Sequence, residues 1–290
     1  MTASEAAATS KNLETVRKSA RDYAFDWYLS ALLAPRSCRQ DLIAFSALIG
    51  EIERTPLVVS DPALGEIRLQ WWLDWLDGLD AGTRSGNPVA DLAGEAILRR
   101  GLSKPILAGL IEARGSELYA LAFETRGALE QFLDRTNGAA MALCAQILEG
   151  EVHQDGLGSA KQALTAVGRA YGIARQLARL PQLAVRGRWG LYSDASGEID
   201  ASQLHDPAER RRADAVRAEA IRTGSAFLAG ARQITGGRLT QPTRAGLPVA
   251  MVSKYLSALH KQDDWLRSEI DIPPLVRVWT MWRSQWTGRF

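Results

Sequence analysis

The stretch Leu42–Trp75, LIAFSALIGEIERTPLVVSDPALGEIRLQWWLDW, decides the fold because it predicts two consecutive helices with apolar faces. The first helix is predicted to start at an N-cap at Ser37 and to run through Ile52, with apolar residues recurring at helical spacing. Pro56 interrupts it, since proline lacks the amide proton that a helix interior needs. Asp61 and the proline after it start the second helix, because aspartate caps free amides and proline fits the first turn.

Helical periodicity continues along nearly the whole chain. Further helices are predicted at 88–100, 104–121, 127–149, 159–182, 207–234, 243–262 and 273–286. Strand signals are scarce, since no alternating β-branched run and no Asn-Gly hairpin occurs. We therefore predict an all-α protein, with a flexible N-terminal tail over 1–16 and a single helical domain over 17–290.

Composition limits the classes of function. Of 290 residues, 46% are hydrophobic and 23% are charged, which is typical of a soluble globular protein, and the net charge of +2 gives no support for a nucleic-acid partner. Cys38 and Cys144 lack CxxC spacing and indicate buried thiols in a reducing compartment. His153, His205 and His260 lie too far apart in sequence to suggest a zinc site.

No apolar run reaches the roughly 18–20 residues that cross a bilayer, so we expect a cytoplasmic protein with at most peripheral contact to the inner membrane.

Several landmarks between residues 22 and 188 stand in a fixed order. They are Pro35 with Arg39, Ala44-Phe45, Gly65–Trp72, Thr136–Ala139, Gly172–Leu177 and Arg186–Arg188. Together they resemble the squalene/phytoene synthase family, and the GEIRLQWW sequence of Gly65–Trp72 is the most specific of them. The resemblance implies an isoprenoid-synthase-like helical bundle around a central apolar cavity. It also implies the joining of two prenyl diphosphates, in which Mg²⁺ bound by carboxylates helps diphosphate to leave.

The two acidic motifs with which this family holds Mg²⁺ are degenerate here. Where the family has D-D-x-x-D, this chain has Gly50–Arg54, in which only Glu51 matches in charge and Arg54 places a cation at an acidic position. Glu53 lies two residues from Glu51 and therefore points to a different side of the helix. The second motif is expected near Ala178–Val185, which contains no acid. We therefore expect no cofactor, and Mg²⁺ only if the chain is nevertheless an active enzyme.

This loss of acidic residues resembles a branch of the family that includes a mitochondrial assembly factor of respiratory complex I. The resemblance implies a catalytically impaired, membrane-associated assembly or scaffold factor, with a respiratory-complex subunit as partner, or a binder of an isoprenoid or prenyl lipid. The alternative is an active head-to-head prenyl transferase of the squalene or phytoene synthase type, with metal ligands that the motifs do not identify. A third hypothesis is a carrier that binds prenyl diphosphates without turnover.

Seven residues near the landmarks are candidates for lining a cavity or binding diphosphate, because guanidinium groups suit phosphate oxygens. They are Arg39, Glu51, Arg68, Trp72, Gln176, Arg179 and Arg188. A structural role is the alternative for each of them, since glutamates and arginines pair with one another and tryptophans pack helices. No residue is assigned as catalytic or as a metal ligand.

The C-terminal segment predicts a helix with an aromatic face. Trp279, Trp282 and Trp286 recur at a spacing of three and four residues, with arginines between them. Such a face suits a membrane interface or a protein partner, and docking of the helix on the core is the alternative. Under the membrane hypothesis, removal of residues 276–290 is expected to release the protein from membranes without unfolding it.

Overall fold

The computed structural model describes residues 3–82, 84–119, 121–149, 157–193, 195, 197–240, 243–267 and 270–290. The α-helices in these ranges are α1 (Ala3–Tyr23), α2 (Phe25–Leu33), α3 (Arg36–Glu53), α4 (Thr55–Val58), α5 (Pro62–Asp77), α6 (Pro88–Arg100), α7 (Lys104–Ala113), α8 (Arg126–Leu133), α9 (Ala139–Glu149), α10 (Leu157–Ala184), α11 (Pro207–Thr235), α12 (Val252–His260) and α13 (Pro274–Thr287). No helix among these residues is both long and apolar enough to cross a bilayer. His153 lies outside the described residues.

The two helices of the opening stretch form as α3 and α5. The Asp61 carboxylate accepts a hydrogen bond from the amide of Ala63 at 2.9 Å, which confirms the predicted cap. The predicted cap at Ser37 is wrong, because α3 starts two residues earlier, at Arg36. Pro35 is its N-cap, and the carbonyl of Pro35 accepts from the amide of Arg39 at 3.0 Å.

Three of the predicted helices are divided into shorter elements. The helix predicted at 243–262 runs as a 3₁₀ helix over Thr243–Met251 and becomes α-helical only over Val252–His260. The helix predicted at 104–121 ends at Ala113 and continues as a 3₁₀ turn over Arg114–Leu118. The helix predicted at 127–149 is divided by a π turn at Asp134–Gly138. Such turns change the direction of side chains within an otherwise helical segment, and many of them lie at functional sites.

Two short parallel strands complete the fold, and the sequence did not predict them. β1 (Leu121–Phe123) pairs with β2 (Trp189–Tyr192), and every residue of β2 is buried. Strands of three and four residues are too short to show a period of two, and a continuously buried strand shows no alternation at all.

One hydrophobic core spans the described residues from Val16 to Met281. α10 packs against α9, α11 and α12, while α3 packs against α1, α2, α6 and α9. α1 already begins at Ala3, and the proposed domain boundary at residue 17 stays a prediction. The all-α bundle is confirmed, and its central helices are those that carry the degenerate motifs.

Candidate functional site

A buried network of charges connects the end of α3 with the middle of α10. Arg114 donates to the carboxylates of Glu53 (2.7 Å) and Glu117 (2.9 Å). The other oxygen of Glu117 accepts from Gln176 at 3.0 Å and from Arg179 at 3.4 Å. Arg179 also donates to the backbone carbonyl of Glu53 at 2.8 Å, which closes the network. We call these five residues the buried ion network.

The buried ion network holds two carboxylates and two guanidinium groups, so its formal charge is zero. Burial raises the pKa of Glu117, but the charges of Arg179 and Arg114, with the hydrogen bonds to Glu117, outweigh it and bring this pKa below its ordinary value. Burial lowers the pKa of Arg179, and the charge of Glu117 opposes this change. Each charge therefore depends on its neighbours, because an unpaired charge in such a site is strongly destabilising.

Glu51 lies outside this network and is paired on its own. Its carboxylate accepts from Arg68 of α5 at 3.2 Å and from Arg54 at 3.4 Å. The hydroxyl of Ser19 donates to the same carboxylate at 3.1 Å. Glu51 and Arg68, two of the seven candidate residues, therefore form an ion pair between α3 and α5.

A second buried cluster surrounds Asp26 of α2. Its carboxylate accepts from Tyr255 (2.7 Å), Arg277 (2.8 Å) and Tyr171 (3.1 Å). Burial first, and then the charge of Asp26, raises the pKa of Tyr255 to about 12, so the phenol stays protonated at neutral pH and can donate. This cluster ties α2, α10, α12 and α13 together.

Three of the seven candidate residues make only structural contacts. Arg39 donates to the carbonyl of Ala34 at 2.9 Å. Arg188 donates to the carbonyls of Pro56 and Ser60. Trp72 is buried and makes edge-to-face contacts with Trp71 and with Trp75, one turn further along α5. Gln176 and Arg179 belong to the buried ion network, and Glu51 and Arg68 form their own pair.

The sequence model of the squalene/phytoene synthase family matches residues 20–283, which is most of the chain. The chain belongs to the squalene/phytoene synthase family. The landmarks that the sequence analysis found between residues 22 and 188 lie within this match.

The chain is also similar to a group of mammalian proteins. Those described as NADH dehydrogenase (ubiquinone) complex I, assembly factor 6 include a Mus musculus protein, 28% identical over 192 residues, which is 66% of this chain and 55% of that protein. The Bos taurus protein is 30% identical over 183 residues, 63% of this chain and 52% of that protein. The chain thus spans about half the length of these relatives.

Solved structures of family members share the fold. The squalene synthase HpnC of Alicyclobacillus acidocaldarius superposes with a TM-score of 0.63 at 16% identity, covering 88% of this chain and 95% of that one. A dehydrosqualene synthase in complex with a ligand superposes with a TM-score of 0.68 at 11% identity, covering 96% of this chain and 97% of that one. At these identities the likeness concerns the fold alone, and it confirms the isoprenoid-synthase-like bundle.

A Mg²⁺ cluster of the kind that the family resemblance implies does not fit the residues present. A cleft of about 360 Å³ opens beside the buried ion network between α3 and α10. Its acids are Asp22 and Glu53, whereas its cations are Arg54, Arg175, Arg179 and Arg277. Among the described residues, no group of three or more His, Cys, Asp or Glu is arranged to hold a metal ion. The excess of guanidinium groups would repel divalent ions and attract anions.

Several charged residues of these clusters are not among the seven candidates, including Arg114, Glu117, Asp26 and Arg277. Arg114 and Glu117 belong to a helix that was predicted from apolar periodicity, and Asp26 and Arg277 are 251 residues apart. One signal was present: Arg114 and Glu117 are opposite charges three residues apart within an apolar segment.

A separate, largely apolar space has a volume of about 230 Å³, and none of the seven candidate residues is among its described lining residues. It lies between α2, α3, α9 and α13, and its walls include Trp27, Leu42, Cys144 and Leu247. Arg244 is the one charged residue among its described lining residues. Burial raises the pKa of the Cys144 thiol far above its ordinary value, so this thiol stays neutral in the cavity wall.

The C-terminal helix α13 packs on the core with one face and exposes the opposite face to solvent. Met281 and Arg277 face the core, and the ion pair of Arg277 with Asp26 fastens the helix. Trp279, Trp282 and Trp286 lie on the outer face. Trp279 and Trp282 stack at a centroid distance of 5.2 Å, and Trp286 contacts Trp282 in a tilted arrangement at 5.8 Å. Removal of residues 276–290 would leave the buried carboxylate of Asp26 without its cation, so point substitutions are the better test of this face.

Proposed function

We propose that this chain is a noncatalytic member of the squalene/phytoene synthase family that acts in the assembly of respiratory complex I. The observation that carries the proposal is the buried ion network. Arg114 and Arg179 neutralise the carboxylates of Glu53 and Glu117 at the place where the family would gather Mg²⁺.

The chemical argument starts from the leaving group. Diphosphate departs from a prenyl carbon only when its developing charge is neutralised, and the family uses Mg²⁺ on two facing acidic helices for this purpose. Here α10 offers Arg175 and Arg179 to the cleft instead of acids. Arginines could retain an anion in the cleft, but without carboxylates they would gather no Mg²⁺.

The assembly role is supported by the similarity to complex I assembly factor 6 of mammals. A scaffold needs a stable surface rather than a reactive centre, and replacing a metal site by internal ion pairs is compatible with that requirement. We place the protein at the inner face of the energy-coupling membrane, with a subunit of complex I as its partner.

A second candidate function, binding of an isoprenoid or prenyl lipid, is favoured by the apolar cavity beside Cys144. An apolar tail would lie among Trp27, Leu42 and Leu247, with Arg244 available for a polar end. This role is compatible with assembly, because a bound lipid could stabilise the scaffold. Mass spectrometry of lipids extracted from the purified protein tests it, and the absence of any stoichiometric apolar lipid would contradict it.

Gene deletion in the source organism, followed by complementation, tests the assembly role. We expect assembled complex I, measured on native gels and by NADH:ubiquinone activity, to fall on deletion and to recover with the wild-type gene. Glu51→Gln removes the one acid that matches the first motif, and it should restore complex I as well as the control Glu66→Gln does. Normal complex I after deletion would contradict the assembly role. Loss of rescue by a folded Glu51→Gln protein would instead favour the active transferase.

A further inference from the structure

Charge is divided unevenly along the chain. Residues 220–290 contain ten Lys and Arg and four Asp and Glu, which gives a net charge of +6. Residues 1–219 contain 25 Lys and Arg and 29 Asp and Glu, which gives a net charge of −4. The helices α12 and α13 contain no acid. The nearly neutral total therefore conceals a basic C-terminal part, which neither the ion network nor the cleft explains.

Four of these cations surround one groove beside α13. Arg238 follows α11, Lys254 lies on α12, Arg283 lies on α13, and Arg289 follows α13. The groove has a volume of about 630 Å³, and no Asp or Glu is among its described lining residues. None of the four side chains forms an ion pair with a described carboxylate. We call these four residues the basic groove.

The backbone fixes part of this arrangement. Arg238 and Arg289 face each other in an antiparallel β-bridge, and the amide of Leu239 donates to the carbonyl of Gly288 at 2.6 Å. Like charges around one space repel one another, and an anion that enters relieves the repulsion. The basic groove is therefore complementary to an anionic group.

An apolar ridge runs next to the basic groove on the outer face of α13. Trp279 is 62% exposed and Trp286 is 77% exposed, and the ring of Trp282 lies between them in contact with both. Leu275, one turn before Trp279, is also exposed. We call the three tryptophans the tryptophan ridge. Indole rings are favoured at the boundary between water and lipid, because they combine a large apolar surface with one polar N–H.

We propose that the basic groove and the tryptophan ridge together form an attachment site for the surface of an anionic phospholipid bilayer. The tryptophans would enter the headgroup region, and the cations would pair with lipid phosphates. Tryptophans alone would suit a protein partner equally well, but four cations without acidic partners favour a phosphate-rich surface. The inference goes beyond the assembly role, because it names the surface and the lipid class and holds whichever function the bundle performs.

Co-sedimentation of the purified full chain with vesicles tests the proposal. We expect binding to vesicles of equal parts phosphatidylcholine and phosphatidylglycerol, little binding to phosphatidylcholine alone, and weaker binding as salt is added. The double variant Arg283→Gln/Arg289→Gln should weaken the affinity for anionic vesicles about 30-fold, as expected for the loss of two cations near the surface. Trp279→Ala/Trp286→Ala should weaken it about tenfold or more, because two indoles no longer enter the interface.

Matched controls separate this surface from general effects of charge or hydrophobicity. Lys18→Gln/Arg84→Gln removes two exposed cations elsewhere, and Leu64→Ala/Ile67→Ala removes two exposed apolar side chains on α5. Both controls should bind like the wild type. Failure of the wild type to bind anionic vesicles, or equal losses in controls and test variants, would overturn the proposal. The assay contains no respiratory subunit, so its outcome is independent of the complementation test.

Discussion

Arg114 is 2% exposed, and its guanidinium group donates to Glu53 and Glu117. Arg114 thus neutralises both carboxylates from within the protein. Unlike Mg²⁺, a guanidinium group has no free coordination position for a diphosphate oxygen. At the scale of residues, this self-neutralised network is the basis of our proposal that the chain is noncatalytic.

Arg114→Met is predicted to destabilise the protein by about 3–5 kcal/mol, because it leaves two buried carboxylates without their shared cation. Urea denaturation followed by circular dichroism measures the loss. The control Arg84→Met breaks the exposed pair with Glu95 and should change stability by less than about 1 kcal/mol. Equal effects of the two substitutions would contradict the role of the buried ion network.

The depressed pKa of Glu117 predicts a pH dependence of stability. Because the folded protein holds this pKa below the ordinary value of 4.5, the carboxylate contributes stability above that value and loses it as pH falls through the folded pKa. Glu117→Gln removes this titration. The free energy of unfolding of the variant should therefore fall less steeply with acidification below pH 4.5 than that of the wild type. Parallel slopes would show that Glu117 is not held ionised.

The sequence predicted part of these residues and could not predict the rest. Glu51 was a candidate because it lies in the degenerate acidic motif, and Arg68 because it lies in the Gly65–Trp72 landmark; the structure pairs them. Arg114 pairs with Glu53 over 61 residues, and no periodicity within a helix identifies such a partner. Long-range partners follow from the packing of whole helices, which a single sequence does not specify.

At the scale of elements, α10 depends on a close contact with the π turn. A Cβ atom added at Gly168 of α10 would lie 2.6 Å from the Cα of Gly138 in that turn. The Thr136–Ala139 landmark therefore marks a place where two backbones approach, and the approach holds Asn137 against α10. Apolar periodicity predicted one continuous helix here because it does not detect such a turn.

Gly168→Ala is predicted to destabilise the protein by about 1–3 kcal/mol, since the added methyl group must push the π turn away. Gly230→Ala in α11 is the matched control, because an added Cβ there meets no atom within 4 Å. That control should stabilise the helix by up to about 1 kcal/mol. Thermal unfolding of both variants gives the comparison, and stabilisation by Gly168→Ala would contradict the close contact.

At the scale of the whole molecule, the order of weak landmarks predicted the fold better than any single motif did. The family match over residues 20–283 and the solved structures agree with the predicted bundle. The separation of charge into a basic C-terminal part was readable from the sequence, but the groove that collects Arg238, Lys254, Arg283 and Arg289 was not. Three elements distant in sequence form that groove.

The release of pyrophosphate tests the central claim most directly. The purified protein would be incubated with farnesyl or geranylgeranyl diphosphate, Mg²⁺ and NADPH, beside an active squalene synthase assayed in parallel. We predict that release stays at the level of a protein-free control, because both acids that line the cleft, Asp22 and Glu53, are paired with arginines. Release at a rate comparable to that of the active enzyme would contradict the account.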